Sequence, residues 1–202
     1  MRGAFVDPGG DLPKLKAAAA HHNVTVEKII LTHGHIDHCG EAKPLAEELG
    51  VSIEGPHEAD RWLLEELATS GAAYGVRGVP FVPDRWLGDG DVVTLGETQF
   101  EVVHCPGHTP GHVVFFHRGA RFAQVGDVLF QGSIGRTDFP RGNHQDLLEA
   151  ITQKLWPLGD DVAFVPGHGP MSTFGHERKS NPYVADAVIA RGASRANASG
   201  PG

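Results

Sequence analysis

Residues 29–41 read "IILTHGHIDHCGE". Ile29, Ile30 and Leu31 close a short apolar run that starts at Val26, the pattern of a buried strand. Directly beyond it, His33, His35, Asp37 and His38 crowd into six residues. Imidazoles packed this closely repel one another when charged and gain little from the arrangement unless a cation joins them. The stretch therefore reads as a strand end that carries part of a metal site, and the remaining ligands must come from elsewhere in the chain.

Three further turns share the design. They are "CPGHTPGH" (105–112), "VGD" (125–127) and "PGHG" (166–169), each after a short apolar strand. Loops held at strand ends by a rigid sheet are where functional groups concentrate, and glycines let the backbone turn sharply enough for side chains to converge. Histidine and carboxylate are ligands for zinc, iron and manganese, three or four to an ion. His33, His35, Asp37, His38, His108, Asp127 and His168 supply seven, too many for one tetrahedral ion and suited to two adjacent ions sharing a carboxylate. Six other histidines, at positions 21, 22, 57, 117, 144 and 176, read as solvated or capping residues. His104 and His112 flank the motifs and read as packing behind the ligands.

The 202-residue chain is long enough for one domain with a real core. The expected boundaries are a single domain over 1–190 and a disordered tail over 191–202, "RGASRANASGPG" being the stretch with little to bury. The net charge of −8 argues against nucleic acid as the main partner. No apolar run approaches the roughly 18 residues of a membrane span, and no leader pattern is visible, so the expected location is the cytoplasm. Two cysteines, Cys39 and Cys105, make no disulfide framework and read as small buried filler.

The coarse pattern is β-α-β-α-β-α, then hairpins, then α-β-α. Helices are expected at 11–22, 41–50, 57–68, 144–156 and 181–190. Strands are expected at the start of 4–10, at 26–33, at 51–56 and over 161–169 ending in a Gly/His turn, hairpins over 91–108 and 112–127, and a loop over the Gly- and Pro-rich 69–90. Paired strands with helices on the outside suggest two packed sheets.

The linked motifs resemble the metallo-β-lactamase-fold hydrolases, and within them the short, single-domain, glyoxalase II-like branch. "VDPGGD" (6–11), "CPGHTPGHVVFF" (105–116), "GRTDFPRG" (135–142) and "ERKSNP" (177–182) extend the likeness over about residues 4–183. The resemblance implies an α/β fold, a four-layer αββα sandwich. It implies one metal on His33, His35 and His108, a second on Asp37, His38 and His168, and Asp127 between them. It also implies that Asp7 steadies the metal loops from behind. Members usually open with about two strands before the Val-Asp-Pro segment, so the chain is expected to lack the first N-terminal strands. The C-terminal helical domain that helps full-length relatives bind glutathione is also not expected here.

The activity implied is hydrolysis of a thioester, S-lactoylglutathione or a related hydroxyacylglutathione, by a hydroxide held between two divalent ions, zinc first, iron or manganese otherwise. Asp37 would orient that hydroxide. Arg136, Arg141 and Lys179, with Arg178 nearby, are the cations available to an anionic substrate. One rival is a persulfide (sulfur) dioxygenase of the same fold, holding a single iron on His33, His108 and Asp127. The other is a non-catalytic metal-binding module. The oligomeric state is not legible.

Overall fold

In the computed structural model, which describes residues 1–191, the strand ending in the histidine cluster lies at the centre of a three-stranded parallel sheet. Beyond Arg191, the expected tail lies outside the described residues. Strand β1 (Arg2–Val6) is followed by helix α1 (Leu12–His21) and by β2 (Thr25–Ile30). A short α2 (Ile36–Cys39) and α3 (Ala42–Leu49) then lead to β3 (Ser52–Glu54). Parallel neighbours need crossovers of this kind. The order is β1-β2-β3, so β1 finds its partner later in the chain and stands at the sheet edge.

A 3-10 turn (Glu58–Asp60) opens α4 (Arg61–Glu65), and after a break at Glu66 comes α5 (Leu67–Tyr74). The loop expected over 69–90 is therefore helical as far as Tyr74. Gly71 is the reason. It is buried, and a Cβ there would lie 2.6 Å from the Val76 carbonyl oxygen and 2.7 Å from the Gly78 nitrogen. The glycines that look like loop in sequence allow a close backbone approach, and Gly75, at φ 70°, ends the helix.

The second sheet begins with the meander β4 (Val92–Leu95), β5 (Thr98–His104), β6 (Val113–His117) and β7 (Phe122–Gly126). A small hairpin, β8 (Leu129–Phe130) and β9 (Ser133–Ile134), precedes α6 (His144–Glu149), which continues as a π-turn over Ala150–Leu155. Strand β10 (Ala163–Pro166) returns parallel to β7, and β11 (Ser172–Thr173) and α7 (Phe174–Ser180) follow. The sheet order is β11-β10-β7-β6-β5-β4. Helix resumes only at 186, later than the 181 expected.

The period-2 alternation of strands divides the core. Ile30, Val93, Val102, Val113 and Phe115 meet between the two sheets. Ile29, Leu31 and Ile53 face outward onto Leu45, Leu64 and Leu67 of the helices. On the far side, Val114, Phe116 and Phe164 pack against Leu147, Ile151 and Phe174. The layers are thus helix, sheet, sheet, helix. Each buried large apolar side chain contributes roughly 1.5–3 kcal/mol. Strands β5, β7 and β10 run in one direction, so the turns that follow them open on a single edge.

Candidate metal centre

Asp7 anchors the site from behind. Its Oδ1 accepts from the Thr32 amide at 2.7 Å, and its Oδ2 accepts from Thr32 Oγ1 at 2.6 Å and from His38 Nδ1 at 3.0 Å. The adjoining Pro8-Gly9 turn runs so close to Asp37 that a Cβ on Gly9 would lie 1.6 Å from the Asp37 carbonyl oxygen. Thr32 has its only hydroxyl proton on Asp7. Its oxygen therefore accepts from His33 Nδ1 at 3.0 Å, which leaves His33 Nε2 as a lone pair. The Arg136 carbonyl accepts from His108 Nδ1 at 2.7 Å, with the same result for His108 Nε2.

Those lone pairs converge. His33 Nε2 and His108 Nε2 lie 3.1 and 3.0 Å from His35 Nδ1. A second group forms beside the first: His168 Nε2 lies 3.2 Å from both His38 Nε2 and Asp37 Oδ2. Asp127 reaches both groups, with Oδ1 3.4 Å from His38 Nε2 and Oδ2 3.7 Å from His108 Nε2 and from His168 Nε2. All seven residues singled out in the sequence are brought together, in the two sets of three that the resemblance implied, with Asp127 between them. A third set, Asp7–His33–His38, is equally tight, but the Asp7 oxygens are already taken up by Thr32 and His38 Nδ1.

The donor set fits cations. The lone pairs of His33 Nε2 and His108 Nε2 both face His35 Nδ1, and Asp127 Oδ1 is buried with no hydrogen-bond partner. Its contact with His38 at 3.4 Å is best taken as charge proximity rather than an aligned hydrogen bond. Burial, aided by neighbouring imidazoles, holds His33 well below the usual histidine range and His35 down at about 4. Burial also lowers His108, against the pull of the Arg136 carbonyl and Asp127. These rings are neutral and ready to ligate. At His38 burial opposes the charge, yet Asp127 and Asp7 on either side outweigh it and raise its pKa to about 10. A metal ion would take the place of that proton.

His112, expected to pack behind the ligands, does so. Its ring stacks on His33 at 4.7 Å, and its Nε2 accepts from the Asp127 amide at 3.0 Å. His57 accepts from the Ala59 amide as a cap, and His104 stacks on His57 at 4.2 Å. Both cysteines are buried. Burial raises the Cys39 thiol well above its ordinary value and pushes Cys105 up to about 12, so neither is a ready nucleophile.

His35, Asp37, His108, Asp127 and His168 line a cavity of about 780 Å³, with His33 and His38 buried behind them. Its walls are largely apolar, with Ile36, Trp62, Leu63, Phe130, Ile134 and Phe139 among them. Arg136 lines it, paired with Asp138 at 2.8 Å and lying over the Phe139 ring. Arg141 is not on the lining, but it lies 4.5 Å from the centroid of the Trp62 ring, which is. Lys179 is exposed on α7 and is not on the lining. Sequence reasoning passed over Asp60. It is fully buried and accepts from Gly34, Thr109 and Gly111, which lie between and beside the ligands. Within "HEADRW" nothing local sets it apart from a helix-capping acid.

The family model for the metallo-beta-lactamase superfamily matches residues 4–168. The hydroxyacylglutathione hydrolase GloC of Haemophilus influenzae is 43% identical over 183 residues, 90% of this chain and 86% of that one. The probable metallo-hydrolase YqgX of Bacillus subtilis is 34% identical over 88% of this chain and 85% of its own length. Among solved structures, the BLEG-1 B3 metallo-beta-lactamase superposes with a TM-score of 0.83 at 35% identity, covering 91% of this chain and 88% of that one. TTHA1623, solved in a di-iron-bound form, gives 0.80 at 36% identity, with 88% and 87% covered.

Proposed function

This chain belongs to the metallo-β-lactamase superfamily and is a metal-dependent hydrolase, and we propose that it cleaves thioesters, S-lactoylglutathione or related hydroxyacylglutathiones, at a two-metal site. The observation that carries this reading is Asp127, which stands between two complete ligand groups on the floor of a substrate-sized cavity. In this reading His33, His35 and His108 would hold one ion and Asp37, His38 and His168 the other, with the Asp127 carboxylate within reach of both groups. Two divalent ions bound there supply a water nucleophile already ionised near neutral pH and polarise the substrate carbonyl.

The chain's own residues do the rest. Asp37, whose carboxylate is half-exposed to the cavity, accepts a hydrogen bond from the attacking water and orients it. Asp7, through Thr32 for His33 and directly for His38, keeps these two imidazoles in the tautomer that points Nε2 inward as a lone pair, as the Arg136 carbonyl does for His108. The apolar walls exclude bulk water from the acyl group. A thiolate leaving group has a pKa of about 8.5 and asks for little protonation, which suits a cavity whose polar groups gather at the metal floor. Arg136 on the wall receives the substrate carboxylate. Its pairing with Asp138 is solvent-exposed and easily exchanged. Arg141 over Trp62 is the second candidate, and Lys179 the more remote one.

The relative named as a hydroxyacylglutathione hydrolase supports the substrate class. The nitrogen and oxygen donors suit zinc, with iron or manganese next; the di-iron form of TTHA1623 supports iron as a natural alternative. The proposal places the protein in the cytoplasm as one domain over residues 1–190. Among the described residues, no helix is long and apolar enough to cross a membrane. A single-iron persulfide dioxygenase would leave Asp37, His38 and His168 without a task, and a binding module would leave the cavity without one.

The test is a hydrolysis assay with S-lactoylglutathione on protein loaded with zinc, iron or manganese. Release of glutathione supports the reading. Oxygen uptake with glutathione persulfide and no thioester cleavage would overturn it.

A further inference from the structure

We propose that Asp60 is a positioning residue of the metal centre, clasping the loop of His33 and His35 to the loop of His108. The inference rests on the reading of those three histidines as ligands of one ion. Asp60 ends the 3-10 turn before α4 and is fully buried. Its Oδ2 accepts from the Gly34 amide at 2.9 Å and from Thr109 Oγ1 at 2.8 Å, and its Oδ1 accepts from the Gly111 amide at 2.6 Å. Gly34 separates His33 from His35, Thr109 follows His108, and Gly111 precedes His112, which stacks on His33.

The glycines make room for the clasp. A Cβ on Gly111 would lie 2.6 Å from Asp60 Cγ, and one on Gly34 would lie 2.8 Å from Leu63 Cβ and 3.4 Å from Asp60 Cβ. Two loops whose ligands are 73 residues apart, His35 and His108, thus hang on one carboxylate, and their facing nitrogens stand 3.0 Å apart. Groups that orient ligands in this way typically matter by about 10–100-fold in metal affinity or activity. A buried carboxylate whose polar partners are N–H and O–H donors is otherwise an expensive choice for a helix start.

The experiment compares the full chain with Asp60→Asn, which keeps the size but turns one acceptor into an NH₂ facing donors. Both are titrated with Co²⁺, and the visible d–d bands, Co²⁺ affinity and far-ultraviolet circular dichroism are recorded. The expected result is a parent-like fold, altered d–d bands and an affinity at one of the two sites lower by about 10–100-fold. Parent-like bands and affinity would overturn the proposal. If Asp60→Asn does not fold, Thr109→Val decides, since it removes one donor and leaves the carboxylate. A smaller shift of the same kind, restored by Thr109→Ser, supports the clasp, and an unchanged cobalt spectrum in Thr109→Val refutes it. The cobalt readout needs no thioester, so a parent that cleaves none would refute the substrate reading while the spectra still judge Asp60.

Discussion

The Asp7 carboxylate and the His38 imidazole, 31 positions apart in sequence, are hydrogen-bonded at 3.0 Å, and the same oxygen also holds Thr32. One buried acid thereby sets the ring orientation of His38 directly and the tautomer of His33 through the Thr32 hydroxyl. Asp7→Ala should leave the fold in place and weaken metal binding by about 10–100-fold. Metal content after dialysis against graded chelator is the measurement, and parent-like retention would remove Asp7 from the role assigned to it.

Asp127 is the residue both groups share. Asp127→Ala should lower metal content from about two ions per chain toward none, because each remaining set loses its common carboxylate and the imidazoles are left facing one another. Elemental analysis of the purified variant checks this. Two retained ions would show that Asp127 does not bridge.

Removing the metals should destabilise the protein. Ions that bind only the folded chain add RT ln(1 + [L]/Kd), about 4 kcal/mol at a thousandfold excess over Kd. The melting temperature should therefore fall on chelation and recover in proportion to the logarithm of added zinc. A melting temperature indifferent to both would argue against a built metal centre.

Asp60 predicts a pH dependence with a definite sign. Burial raises its carboxyl from 3.8 to about 6, against its three hydrogen bonds. Between those values the folded chain binds more protons than the unfolded one, so stability falls as pH rises through the window. The span corresponds to something on the order of 3 kcal/mol. Asp60→Asn cannot titrate. In urea unfolding of metal-free protein, the difference between parent and variant should move in favour of the parent as pH drops from 7 to 4. A pH-independent difference would contradict the buried, ionising carboxylate.

Gly9→Ala should cost on the order of 3 kcal/mol, since the new methyl would meet the Asp37 backbone rather than a side chain that can swing away. Thermal melting is the check, and a shift within error would mean that the Pro8-Gly9 turn moves freely.

What was readable in the chain is what depends on near neighbours. The apolar run ending at Leu31 marked a buried strand, and paired strands with helices on the outside suggested two packed sheets, although the unbroken runs Ile29–Leu31 and Val113–Phe116 did not say which residue faces which layer. The seven ligand candidates stood out because imidazoles and carboxylates beside glycine turns are costly without a cation. Where distant contacts decide, the reading failed. Residues 69–74 looked like loop because Gly71 is a poor helix former in isolation, yet its missing side chain is what lets the helix pack on Val76 and Gly78. Asp60 looked like any acid at a helix start, because its three donors come from positions 34, 109 and 111. Of the cations offered to substrate, only Arg136 lines the cavity, and no local pattern separates it from Lys179.

The sequence alone determined which side chains end at strand termini, and so the chemistry of the ligands, because hydrophobic period and turn glycines act over a few residues. Only the tertiary structure decided that His35 meets His108 and that His38 meets His168, 130 positions away. Those distances are set by the register of β5, β7 and β10 and by the buried acids Asp7 and Asp60, which desolvation forces to find partners across the fold.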